Sequence, residues 1–197
     1  CTRDCRTGSQ RVREALADCV EESERVLEML NTLMDITEAE SGTMKLKKER
    51  VDLCQLVREV VELYEYVADE KKVTVHAELP PACDAEVDRK RIRQVFANLL
   101  DNAIKYTPAN GRVTITVQDE PNHTITHFRD TGIGIPADEQ DKIWTRLYRG
   151  DKSRSEHGLG LGLSLVKAVV EAHHGQVKVT SQPDAGSDFA VTLPKTS

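Results

Sequence analysis

Val12, Leu16, Cys19, Ser23, Val26, Leu30, Leu33 and Thr37 follow one another in alternating steps of four and three, and Val20, Leu27 and Met34 flank them at steps of seven. That spacing draws a single stripe down one long helix. At 1.5 Å per residue, residues 11–40 extend over roughly 45 Å, and Gly42 is a suitable stop. One helix cannot bury its own stripe. It needs a partner helix, most simply from a second copy, or it packs on its own globular domain. The preceding ten residues, CTRDCRTGSQ, are polar and aperiodic and are expected to be disordered.

Beyond residue 42 the pattern shortens. MKLKKERVDL alternates like an edge strand, and Asp52 caps a helix running to about Glu70. VTVHAEL reads as a strand and PPACDAEVD as a turn with a short strand. Asp88 then caps a helix reaching Tyr106. GRVTITVQD and HTITHFRD alternate on either side of EPN, a hairpin pattern. A short helix is expected around Asp138–Trp144 and another over Leu159–His173, ended by Gly175. QVKVTSQ and SDFAVTLP form a closing hairpin. Residues 43–197 therefore predict an α+β fold, a two-layer sandwich of a mixed, mostly antiparallel sheet against about three helices.

Composition narrows the setting. Apolar residues make up 39% and charged residues 30% of the 197, as in a soluble globular protein. No apolar run approaches the ~18 residues of a membrane span, so a membrane is reached only through segments outside this chain. The net charge of −6 argues against nucleic acid as a partner. Five scattered cysteines suit a reducing, cytoplasmic setting better than a disulfide framework. Cys1 and Cys5 could share a helical face, but two thiols do not make a zinc site.

The chemistry lies in three segments. In RDTGIGIP an aspartate precedes two closely spaced glycines, which cost backbone entropy and imply an unusual φ or a close approach. GLGLGLSLV sets Gly158, Gly160 and Gly162 before and into a helix, where free N–H groups attract phosphate. The stretch ahead of it supplies Arg149, Lys152 and Arg154. NLLDNAIKYT places Asn98 and Asn102 on one helical face with Lys105 a turn further on, amide oxygens suited to Mg²⁺ beside a cation suited to phosphate. A P-loop, a complete G-x-G-x-x-G and the protein-kinase H-R-D and D-F-G are all missing.

In this order, NLLDNAIKYT, DTGIGIP and GLGLGLSLV resemble the N, G1 and G2 boxes of the sensor histidine kinases, whose ATP-binding domain shares its fold with DNA gyrase, MutL and Hsp90. IWTRLYRGDKSRS stands where the F box and ATP lid belong, and residues 11–42 resemble the second helix of the dimeric phosphoacceptor bundle. The resemblance implies ATP and Mg²⁺ as cofactors. It implies that Asp130 reads the adenine amino group, with Gly132 and Gly134 letting the backbone run beside nucleotide and lid. Asn102 would bind Mg²⁺, with Asn98 on the same face. Lys105 and Tyr106 would line phosphate and nucleoside. Tyr148 and Arg149 would be a lid pair, and Gly158, Gly160 and Gly162 a phosphate cradle. Asn98 and Arg149 carry the catalytic roles. Related ATPases hold a water-activating glutamate where Asn98 stands, and an amide is no general base. Phosphoryl transfer to a protein acceptor follows, with a response regulator downstream and a homodimer formed through the N-terminal helix.

Three departures accompany the resemblance. The family's acceptor box, H-E-x-R-T-P-L, has no counterpart: the six histidines are His76, His123, His127, His157, His173 and His174, and none is expected to accept phosphate. His173 and His174 are expected to sit at a helix end, where positive charge suits the dipole. The acceptor and first bundle helix are thus absent, as in a truncated or degenerate gene. Trp144 and Leu147 replace F-box phenylalanines while staying apolar, and HFRDTG is unusual before Asp130. A non-catalytic ATP-binding module that docks partner helices is the alternative. An anti-sigma-type serine kinase shares the fold but lacks the long preceding helix.

Overall fold

The computed structural model describes residues 2–149 and 160–195. Helix α1 spans Thr2–Glu40, so the polar decapeptide expected to be disordered is helical from its second residue. Helix propensity explains the difference: apart from Gly8, nothing in the segment breaks a helix, and Arg and Gln favour one. Gly42 ends α1 as expected, at φ +70°. The Thr43 N–H bonds to the Glu38 carbonyl and the Gly42 N–H to that of Ala39, a Schellman stop.

Next come β1 (Glu49–Asp52), α2 (Leu53–Lys71), β2 (Thr74–Glu78), β3 (Asp84–Val87), α3 (Arg89–Tyr106), β4 (Arg112–Asp119), β5 (His123–Asp130), α4 (Gly162–Ala172), β6 (Gln176–Ser181) and β7 (Ser187–Pro194). Both caps hold: the Asp52 carboxylate accepts from the Cys54 N–H, and that of Asp88 from the Arg91 N–H. The helix expected around Asp138–Trp144 shrinks to a 3₁₀ turn at Lys142–Trp144. At the end of α4, His174 takes the left-handed conformation and Gly175 follows it, donating to the Val170 carbonyl.

Five strands form one sheet in the order β2-β4-β5-β7-β6, with β2 parallel to β4 and every other pair antiparallel. The parallel pair requires a crossover, and α3 supplies it. Strands β1 and β3 form a separate two-stranded ribbon. Alternation sends Val113, Ile115, Val117, Phe128, Phe189, Val191 and Leu193 to the covered face, beneath α2, α3 and α4. Phe96 of α3 meets Phe128 of β5 at 5.4 Å between ring centroids. This is the α+β sandwich that the pattern predicts.

Helix α1 packs one face on its own domain and leaves another exposed. Met29, Leu33, Ile36 and Ala39 pack on the domain core, with Ile36 fully buried, and Asp35 pairs with Arg91 of α3 at 2.5 Å. Val12, Leu16, Val20, Val26, Leu27, Leu30 and Met34 stay exposed, each to 44% or more. At ~100° per residue the exposed stripe is turned about a third of a circle from the packed face.

Candidate nucleotide site

The α3 sequence is two-sided. Ile92, Val95, Phe96, Leu99, Leu100, Ala103 and Ile104 are buried under the helix, while Gln94, Asn98, Asp101, Asn102 and Lys105 line a cavity of about 950 Å³. That volume suits a ligand of nucleotide size. The Asn98 Nδ2 donates to the Gln94 carbonyl at 2.9 Å, which leaves its Oδ1 facing the start of α4. Asn102 makes no side-chain hydrogen bond to another described residue, so its amide oxygen is available to a cation. No group of three or more His, Cys, Asp or Glu among the described residues is placed to hold a metal. A Mg²⁺ ion here would rest on an amide oxygen and the ligand's own phosphates, which suits its preference for few protein ligands.

Gly162 opens α4 directly over this face. A Cβ on it would come 2.7 Å from the Asn98 Oδ1 and 3.9 Å from the Asn102 Nδ2. The N-cap, Leu161, offers no side-chain hydrogen bond, so the first-turn N–H groups have no capping side chain. Gly160, at φ +69°, lies against the Leu147 and Tyr148 backbone and accepts from the Leu147 N–H at 2.9 Å. Tyr148 and Arg149 close the cavity on that side. Gly158, Lys152, Arg154 and His157 lie outside the described residues.

At the other end Asp130 finishes β5 and is only 5% exposed. Its Oδ1 accepts from the Gly132 N–H at 2.7 Å and the Ser187 N–H at 3.2 Å. Burial pushes its carboxyl up, against those two bonds. Ile133, Ile135, Ile143, Leu165 and Phe189 line the same cavity and give it apolar walls beside this buried acceptor.

The glycines next to Asp130 are required by the protein's own packing. A Cβ on Gly132 would meet the Tyr106 carbonyl at 2.5 Å, and one on Gly134, at φ +65°, would meet the Gln182 carbonyl at 1.9 Å. Gly134 also lines the cavity; Gly132 does not. Leu147 departs from expectation too: it is 61% exposed, at φ 60°, while Trp144 alone packs inward, edge-on to Phe189 at 6.0 Å.

His173 is likewise corrected. It is buried, its Nε2 accepts from the Asp88 N–H at 3.0 Å, and its Nδ1 lies 2.8 Å from the Val169 carbonyl. Burial lowers its pKa, so it sits neutral between α3 and α4 rather than as a charge on the α4 dipole. His127 pairs across strands with Asp188 at 3.1 Å, a structural role.

Sequence reasoning missed one wall altogether. Glu21, Arg25, Glu28, Met29 and Thr32 of α1, with Tyr64 of α2, line the cavity beside the polar face of α3. No local motif signals them, because they enter through the packing of α1. Asp101, exposed along one edge, has its carboxyl pushed up by desolvation in this cleft, against Lys105 and Lys71.

A polar helical face, a buried carboxylate and a glycine loop around one cavity define a nucleotide-binding α+β domain. Residues 87–197 match the family of histidine kinase-, DNA gyrase B- and HSP90-like ATPases, and the chain belongs to that family. It is 37% identical over 172 residues to the sensor histidine kinase TmoS of Ectopseudomonas mendocina, covering 86% of this chain and 18% of TmoS. Among solved structures, full-length ShkA in complex with AMPPNP aligns with a TM-score of 0.79 at 26% identity, over 90% of this chain and 37% of that one. The histidine kinase ThkA, in complex with the response regulator protein TrrA, aligns at 0.68 and 26%, over 87% and 49%. The chain thus spans about a fifth of TmoS and less than half of either solved chain.

Proposed function

We propose that this chain is the ATP-binding catalytic part of a sensor histidine kinase, transferring the γ-phosphate of ATP to a histidine carried on another segment. The observation that carries the reading is the pairing of a buried carboxylate, Asp130, with an amide, Asn98, at opposite ends of one cavity. A carboxylate only accepts hydrogen bonds and so selects the amino edge of adenine over the carbonyl edge of guanine. An amide at the phosphate end cannot take a proton from water, which leaves transfer to a positioned nucleophile as the supported reaction.

Asn102 would hold Mg²⁺, with Asn98 on the same face, and the ion would supply charge neutralisation on the phosphates. Lys105 and Arg149 would contact phosphate, Tyr106 and Tyr148 would lie along the nucleoside, and Gly158, Gly160 and Gly162 would let the phosphates approach the α4 N-terminus. The partners that follow are an acceptor helix of a histidine kinase, a response regulator, and a second copy held through α1. Residues 11–42 then act as a bundle helix and 43–197 as the catalytic domain, on the cytoplasmic side of the cell. No helix among the described residues is long and apolar enough to cross a membrane.

The test is label transfer from γ-³²P-ATP with Mg²⁺, using this chain alone and with an acceptor bundle, ideally its own parent's. Acid-labile, alkali-stable label on the bundle alone is the expected result. No label anywhere, with ATP binding verified in parallel and a working kinase domain labelling the same bundle, would replace this reading with an ATP-binding module that docks partner helices.

A further inference from the structure

Helix α1 reaches the phosphate end of the cavity with a cation of its own. Arg25 shares the packed face of α1 with Met29, Thr32 and Ile36, and its side chain lines the same cavity as Asn98, Asn102 and Lys105. Asp35 pairs with Arg91 at the start of α3. The α1 residues that line the cavity, Glu21 to Thr32, all precede Asp35, while those of α3, Gln94 to Tyr106, all follow Arg91. The two helices therefore leave that pair in opposite chain directions on the two sides of the cavity, and Arg25 lies toward the end that Lys105 occupies.

The charges on this wall are mixed. Glu21 and Glu28 flank Arg25 on α1, and Asp101 faces them from α3. A nucleoside triphosphate entering between these carboxylates needs a local cation to offset them. Arg25 suits that role. Among the described residues its one ion pair is with Glu22 at 3.9 Å, too long for a hydrogen bond, and both side chains are solvated. The guanidinium fork can turn inward and take two phosphate oxygens at once, which a lysine cannot.

Resting on the nucleotide reading above, we propose that Arg25 contacts the terminal phosphate of bound ATP, so that α1 supplies part of the nucleotide site and distinguishes ATP from ADP. The site is then complete only while α1 stays docked on the domain, where the Asp35–Arg91 pair ties it to α3 and the Glu40–Arg146 pair to the segment after Trp144.

The experiment measures ATP and ADP affinities by calorimetry, with Mg²⁺, on the 1–197 chain and its Arg25→Ala, Arg25→Lys and Arg25→Glu variants. Arg25→Ala should lose about tenfold in ATP affinity, the scale of one charge-assisted hydrogen bond, with ADP binding unchanged. Arg25→Lys should lose less and Arg25→Glu more. Arg25 is solvent-exposed, so helicity by circular dichroism should not change. An ATP-to-ADP ratio equal to that of the wild type would overturn the proposal, as would equal losses for both nucleotides, the mark of a packing role. Wild-type binding is the separate check on the nucleotide reading: a chain that binds neither nucleotide sinks that reading and this inference together.

Discussion

Asp130 is held at a cost to the fold. Its carboxyl lies above the usual range because burial outweighs the two N–H bonds on Oδ1. The sign follows: an acid whose folded pKa is raised loses stability as pH climbs from its unfolded pKa through its folded one. Asp130→Asn keeps an Oδ1 for the Gly132 and Ser187 N–H groups and removes the buried charge. It should raise unfolding free energy by about 0.5–2 kcal/mol at pH 7, read as a higher urea midpoint, while lowering ATP affinity at least tenfold. A variant that is both destabilised and binding-competent would contradict the assignment of Asp130 to the base. Gly134 makes the opposite prediction. Gly134→Ala sets a Cβ 1.9 Å from a backbone oxygen at a positive φ, and should lower stability by at least about 2 kcal/mol whether or not nucleotide is present.

At the scale of elements, His173 joins the end of α4 to the start of α3. Desolvation lowers its pKa, opposed by the Val169 carbonyl and the Asp88 carboxylate and aided by Lys48 and His174. A depressed histidine favours the neutral form on folding, so its contribution is present above the unfolded pKa near 6.5 and is lost as pH falls toward the folded value. Urea midpoints should therefore drop between pH 7.5 and 5.5. His173→Gln, which can still accept from the Asp88 N–H but does not titrate, should flatten that part of the slope. An unchanged slope would mean that other groups carry it. This joint also shows which parts of the fold were legible from sequence. Asp52 and Asp88 were readable as caps because a cap is a local hydrogen bond between near neighbours. Most strand boundaries were readable because alternation is local too, although MKLKKERVDL yields only the four-residue Glu49–Asp52. The place of His173 at the end of α4 was readable, but its neutral, buried role was not, because its Asp88 partner lies 85 residues away. The α1 wall of the cavity escaped for the same reason: helical periodicity marks which residues share a face, not which helix that face will meet. The roles of Gly132 and Gly134 were half readable, since the need for a bare backbone was visible and the colliding atoms, on Tyr106 and Gln182, were not.

At the scale of the whole molecule, α1 presents two faces. One face is spent on the domain, through Ile36 and the Asp35–Arg91 and Glu40–Arg146 pairs. The other leaves Val12, Leu16, Val20, Leu27, Leu30 and Met34 in water along several turns. Single exposed apolar residues are ordinary, but a continuous helical stripe of this length fits the bundle-helix role proposed above. The two faces are distinct, so a second copy can occupy the stripe without displacing the domain or closing the cavity. The chain should therefore sediment as a concentration-dependent dimer. Leu16→Glu with Leu27→Glu should return it to a monomer, because each buries a carboxylate against the partner helix. Neither residue lines the cavity, so ATP affinity should stay within about twofold of the wild type. Analytical ultracentrifugation and calorimetry on the same samples decide the matter. A chain that is monomeric at every concentration would mean that one unsupported helix cannot hold the assembly. A charged variant that loses ATP together with its partner would mean that pairing and the nucleotide site are coupled through α1.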